Sequence, residues 1–283
     1  MKTKFILSLT AVVVFAVFAV PGTFAQEIDE ELSNPGITPD SPWYFFDDFT
    51  ERARLAFTFN DEARTRLELT FADERIAEAR VMIQERKEDA AERATTRYEA
   101  LLEGAEARNL SPELIARIAE ATGKHEAVLE RVLANAPEAA QEKLAEVLER
   151  ARVRHEARFE ELLEGNEEEA GRVAGSVLDT RLRELRDALE AGDVTQEQAA
   201  VLAEKLQEKE AFFAAKETGR VEFRNEFAAR LSNAYDDILD LEADDDDNVT
   251  RVVSRLRVRY EARLEQLAAS NPVLGAEAVA NAT

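Results

Sequence analysis

The stretch that decides the fold runs from Pro35 to Gln84 and reads PGITPDSPWYFFDDFTERARLAFTFNDEARTRLELTFADERIAEARVMIQ. It opens with Pro35, Pro39 and Pro42 around Gly36. Each proline fixes its own φ and lacks an amide donor, so residues 35–42 are expected as an ordered extended or turning segment that no helix can cross. Ser41 then fits an N-cap, with Pro42 at the first helical position and Asp47 and Asp48 near the first turns. This opens a short helix whose apolar face combines Trp43, Phe46, Phe49, Ala53 and Phe57. Asn60, followed by Asp61 and Glu62, caps a second and much longer helix, in which Leu67, Phe71, Ile76, Ala79 and Ile83 recur at spacings near three and four. The expectation is that the short helix folds back on the long one with its aromatic rings as a clamp.

Working outward, the same signals recur. The long helix is expected to reach about Arg108, where Asn109 ends it, and Ser111 with Pro112 starts the next. That one runs to Ala134, loosened at Gly123, before a break at Asn135-Ala-Pro137 and a helix to Glu164. Gly165-Asn166 closes it, and a fifth helix follows from Glu167 to Ala191, weakened by Gly171 and Gly175. Thr195 with Glu197 and Gln198 caps a long helix to about Leu241. An acidic turn from Glu242 to Asn248 precedes a last helix to Ala269. Strand-like alternation is nearly absent. The chain therefore reads as all-α, an elongated array or bundle of long antiparallel helices with the short aromatic helix packed on the first long one. Its parts are a signal peptide (1–25), a flexible acidic lead (26–34), the Pro-rich box with the short and first long helices (35–108), helical hairpins (109–191), a long helix, acidic turn and last helix (192–270), and a flexible tail (271–283).

Three segments of the opening stretch, PGITPDSPWY at 35–44, ERARLAFTF at 51–59 and ADERIAEA at 72–79, resemble a domain-of-unknown-function family of exported, mostly helical bacterial and archaeal proteins. A looser likeness continues through KHEAVLERVL at 124–133 and APE at 136–138. The resemblance implies an exported helical protein and carries no activity with it.

Lys2 and Lys4, the 16-residue apolar run from Phe5 to Val20, the break at Pro21-Gly22 and Thr23-x-Ala25 have the form of an export signal cut before Gln26. A retained membrane anchor is the alternative, although the run is short for a spanning helix. The absence of Cys excludes disulfides and thiolate metal sites. The whole chain carries a net charge of −23. Nucleic acid and anionic lipid surfaces, which need basic patches, are thereby disfavoured as partners. The hydrophobic fraction of 45% is rich in Ala, which implies thin cores between helices.

A weak repeat runs through RYEALLE at 97–103, KHEAVLE at 124–130, RHEARFE at 154–160 and RYEARLE at 259–265. On a helix its ring and the apolar residue four places on share a face, so helix packing accounts for it. His125 and His155 fill the ring slot in two copies and are candidate zinc or copper ligands should facing helices bring them together. Tyr98 and Tyr260 fill the same slot, which favours packing. Asp244, Asp245, Asp246 and Asp247 gather oxygen ligands without the spacing of a calcium loop, and so suggest weak divalent binding at most, with a solvated turn as the plainer reading. Other carboxylates, including Glu74 and Glu78 beside Arg75, read as solvated ion-pair faces. No nucleophile elbow, phosphate-binding glycine loop or His-Glu-x-x-His spacing occurs. Asn248-Val-Thr250 and Asn281-Ala-Thr283 match the glycosylation acceptor pattern.

These features point to a non-enzymatic exported protein without a cofactor, an interaction or structural element of the cell envelope with an envelope or secreted protein partner. They imply no nucleic acid and no membrane span once the signal is cut, and leave oligomerisation open. The alternative is an extracytoplasmic chaperone or metal-responsive sensor, because Thr195-Gln-Glu-Gln-Ala-Ala is similar to the Leu-Thr-x-x-Gln element of small periplasmic helical chaperones.

Overall fold

Ala-rich amphipathic segments separated by capping residues leave the backbone one way to satisfy its hydrogen bonds. Among the described residues the chain is helix and turn, with no strand. A computed structural model describes residues 35–108, 110–192 and 194–239, together with nine positions between 254 and 266. The helices are α1 (Tyr44–Phe57), α2 (Asp61–Gln84), α3 (Glu88–Glu106), α4 (Pro112–Asn135), α5 (Glu138–Gly165), α6 (Glu167–Ala191), α7 (Gln196–Ala214) and α8 (Val221–Leu239). Those nine positions are helical, and Leu256 among them is buried. The segments expected as export signal, acidic lead, acidic turn (with Asp244, Asp245, Asp246 and Asp247) and tail lie outside the described residues.

Most predicted caps form. Asn60 accepts from the amide of Ala63 at 2.8 Å and Ser111 from Leu114 at 3.3 Å, while Asn166, expected only to close α5, also caps α6 by accepting from Glu169 at 3.1 Å. Thr195 and Gln198 close a reciprocal capping box, and Gly192 ends α6 in the left-handed region at φ 63°. Ser41 acts one turn early: its hydroxyl accepts from the amide of Trp43, and α1 begins at Tyr44.

Two helices expected to be continuous are each broken. The helix expected over 61–108 turns back at Glu85-Arg86-Lys87. Arg86 takes φ 58°, its amide donates to Ile83 O at 3.0 Å, and the amide of Lys87 donates to Met82 O at 2.8 Å. That is a Schellman ending built on arginine in place of the usual glycine, so no glycine or proline marks it. The helix expected from Thr195 to Leu241 breaks at 215–220, where Gly219 supplies φ 81°.

The result is a set of hairpins. α2 packs with α3, α4 with α5, and α6 with both α7 and α8; α4 lies against both α2 and α6. One buried cluster, from Leu55 to Ala151, includes Phe71, Ile76, Tyr98, Leu102 and Leu129. A second gathers Phe159, Val173, Val177, Phe213, Phe223 and Phe227. α4 feeds both, with Ile118 and Val128 in the first and Ala116 and Ala119 in the second. Fully buried alanines such as Ala72, Ala94 and Ala174 keep the layers thin. Neither Gly123 nor Gly171 loosens its helix. A β-carbon on Gly123 would stand 2.5 Å from Val177 Cγ2, and one on Gly171 would stand 2.5 Å from the carbonyl oxygen of Phe223. The α4–α6 and α6–α8 contacts depend on that closeness.

Arg86→Gly is expected to raise stability by roughly 0.5–1 kcal/mol, because a non-glycine residue in the left-handed region costs about 1 kcal/mol and Arg86 is exposed. Denaturant unfolding would show a higher midpoint at unchanged slope. Gly171→Ala is expected to do the opposite. Helix propensity favours Ala by about 1 kcal/mol. Overpacking against a main-chain carbonyl costs about 1–3 kcal/mol, so the same measurement should give a lower midpoint.

Candidate docking site on the first helix

α1 presents two stripes with the same helical period, and it is the polar one that faces the protein. Tyr44, Asp47, Asp48, Glu51 and Leu55 turn inward, while Phe45, Phe46, Phe49, Ala56 and Phe57 are exposed. The aromatic clamp expected from the sequence is therefore inverted. The cause sits on α2. Arg75, 1% exposed, lies on the face of α2 that meets α1, and its charge needs partners that aromatic rings could not supply. Its guanidinium donates to Tyr44 Oη at 2.7 Å and to Glu51 at 2.9 Å, lies 2.7 Å from Glu78 and 3.3 Å from Asp47, and stacks over the Tyr44 ring. Arg97 of α3 adds a pair to Asp48 at 3.1 Å.

This corrects the reading of Glu74, Arg75 and Glu78 as a solvated face. Glu78 is 0% exposed. Four carboxylates, counting Glu74 at 3.6 Å, share one guanidinium. Burial, only partly offset by Arg75, pushes Glu78 up to about 8 and Glu51 up to about 7. Burial likewise raises the Tyr44 hydroxyl to about 12. At neutral pH Glu78 is thus largely a neutral acid.

The proline box is clipped to the same corner. Lys87 bonds Asp40 at 2.6 Å, Thr38 donates to Asp40 at 2.6 Å, and Arg93 donates to Pro39 O at 2.9 Å. The Lys87 ammonium and the Thr38 hydroxyl hold Asp40 down at about 2. An open cleft of about 510 Å³ separates α1 from α3, with Tyr44, Asp48, Arg52, Arg93 and Arg97 among its lining. Charges of both signs alternate there, without a nucleophile beside a base.

On the outer side, Trp43 is 64% exposed, Phe49 63% and Phe57 77%. Trp43 stacks on Phe46 at 5.8 Å and Phe45 lies 4.0 Å from Phe46. With each large ring carrying roughly 150–250 Å², the face presents on the order of 500 Å² of aromatic surface, as much as the largest patch of an ordinary monomer.

The candidate metal ligands have other occupations. His125 bonds Asp73 of α2 at 2.5 Å, with Tyr98 edge-on at 5.2 Å. His155 lies against Ala119 O at 2.8 Å and packs on Phe159 and Phe213. The two rings share no partner, and no group of three or more His, Asp or Glu residues is arranged to hold a metal among the described residues. Burial, with Lys209 nearby, pushes His155 down to about 3, so it stays neutral. Beside it, Arg181 pairs with Glu126 at 2.9 Å and with Glu130, and Lys209 pairs with Glu126 at 2.8 Å. Burial would raise Glu126, but Arg181 and Lys209 outweigh it and lower the carboxyl. This second buried ion cluster, like the Arg75 knot, was missed from sequence. The available signal was a charged residue within a stripe of buried apolar ones, as Arg75 stands between Ala72, Ile76 and Ala79.

Residues 36–139 match the family model described as Domain of unknown function (DUF5667). The match spans α1 to α4 and the first residues of α5, a little over a third of the chain. No curated protein and no solved structure matches the chain.

The knot makes stability depend on pH in a defined direction. Glu78 and Glu51 have folded pKa values above the unfolded carboxyl value, so their contribution is full below about 4.5 and is lost as pH rises through 7 to 8. His155 acts on the other side, contributing above its unfolded value near 6.5 and losing that contribution as pH falls toward 3. Thermal melts should therefore show Glu78→Gln close to wild type only below about pH 4.5. Between about pH 4.5 and 8 the variant should gain on wild type by at most about 1.4 kcal/mol per pH unit, and the gap should level off above 8. A gap that does not change with pH would mean that Glu78 is ionised throughout.

Proposed function

We propose that this is a non-enzymatic helical protein of the cell envelope, exported by its N-terminal leader, whose working surface is the outer face of α1. The observation that carries the reading is the inversion of α1: buried ion pairs hold the helix so that its large rings face water. A face of that size is uncovered at a cost in free energy unless something occupies it. The basic start, apolar run and small-residue site at 1–25 support export, and so does the resemblance of the opening box to an exported family. Helix packing and ion pairing account for the histidines and for the buried carboxylates among the described residues, which supports a role without turnover.

The chaperone alternative loses its sequence support, because the Thr195–Gln198 pair is a helix-capping box, with Gln198 also donating to Ala134 O. Photo-crosslinking in whole cells, with the probe at Thr50 on the outer side of α1, tests the proposal. The expected outcome is adducts confined to the envelope fraction, reduced when Phe49 and Phe57 are changed to Ser. A chain found wholly in the cytoplasm, or adducts indifferent to those changes, would overturn it.

A further inference from the structure

We infer that the aromatic face of α1 docks on an uncharged lipid bilayer surface, its rings set at the level of the headgroups. The inference rests on the envelope reading and names the occupant of the same face.

Three observations select lipid. The first is composition. The exposed residues of α1 are Phe45, Phe46, Phe49, Thr50, Arg52, Arg54, Ala56 and Phe57, with Trp43 at its start. Trp at the edge of an apolar face, with arginines that can lay their stems along it and hold their charges in water, is the composition of a helix lying in a membrane interface.

The second is charge. The chain carries 59 acidic residues against 36 basic, yet no exposed residue of α1 is acidic. Asp47 and Glu51 turn inward to Arg75, and Asp48 is held by Arg97 and Arg52. The outer face is locally free of the negative charge that the rest of the chain bears. A net charge of −23 still repels an anionic surface, so the fitting bilayer is a neutral one.

The third is reach. The apolar run Phe5 to Val20 is separated from Trp43 by 22 residues. That length spans at most about 75 Å when extended. A bilayer that receives the run, whether during export or as an anchor, is therefore within reach of α1, and a tether of this kind raises the local concentration of the face at the lipid surface.

Trp43 is the sole tryptophan, so its fluorescence reports on this face alone. The full chain would be mixed with phosphatidylcholine vesicles carrying bromine on the acyl chains. The expected result is a blue shift and quenching of Trp43, both diminishing as phosphatidylglycerol replaces phosphatidylcholine. In Phe49→Ser/Phe57→Ser, which leaves the Trp43–Phe46 stack in place, quenching should fall by roughly half or more. Both proteins keep the same N-terminal run, so attachment through that run is common to the two and the difference belongs to the face. A chain that floats with the vesicles while Trp43 stays unquenched overturns the inference, as does equal quenching in the variant. Trp43 shielded without lipid, with a dimer by sedimentation, would assign the face to a second copy. Protein adducts in cells without lipid quenching in vitro would leave the envelope reading standing and remove this inference alone.

Discussion

A buried guanidinium governs how the first third of the chain is arranged. Arg75 is placed by the helical register of α2 among Ala72, Ile76 and Ala79, at the corner where α1 crosses. Leaving such a cation without partners would cost several kcal/mol, more than the burial of one or two rings on α1 could return. The helix that lands there must offer oxygen atoms, and α1 does so with Tyr44, Asp47 and Glu51 at spacings of three and four. The outward direction of the rings follows from the inward direction of the acids. Clipping of the proline box by Lys87 and Arg93 then fixes where the chain enters the helix.

The surplus of carboxylates over cations at this corner explains why it tolerates neither full ionisation nor full neutralisation. Arg75 can balance one negative charge. Asp47 is partly solvated and Glu78 is not, so the proton is held by the more deeply buried acid. The cluster around Arg181 and Lys209 is more evenly matched, with two cations for Glu126 and Glu130; Glu126, touched by both cations, is lowered, whereas burial keeps Glu130 raised. The direction of each carboxyl thus follows how many cations it touches against how deeply it is buried.

Helix identity and most helix starts were legible because capping is local chemistry. Asn60, Ser111 and Thr195 announce their helices within three residues. The turn at Arg86 was not, since its left-handed residue carries a side chain that gives no signal for it. The break near Gly219 was marked by that glycine and passed over within an otherwise helical pattern. The facing of α1 could not be read from period alone: its apolar and polar stripes repeat with the same spacing, and the choice between them is made by a residue on another helix. For the histidines the sequence contained its own answer. Tyr98, His125 and His155 occupy one slot of a repeat, and all three rings are buried, with Leu102, Leu129 and Phe159 four residues on buried beside them.

The position of α4 between two cores separates what is recognisable in the sequence from what can fold. The matched region ends at residue 139, within the first turn of α5, yet α4 inside it keeps Ala116 and Ala119 against a cluster made mainly by α5 to α8. A fragment cut at that boundary would lose the partner hairpin of α4 and bare its second face to water at the same time. The matched segment is therefore recognisable in sequence without being a unit of cooperative unfolding, because the two cores are joined through α4 and α5, each of which contributes to both.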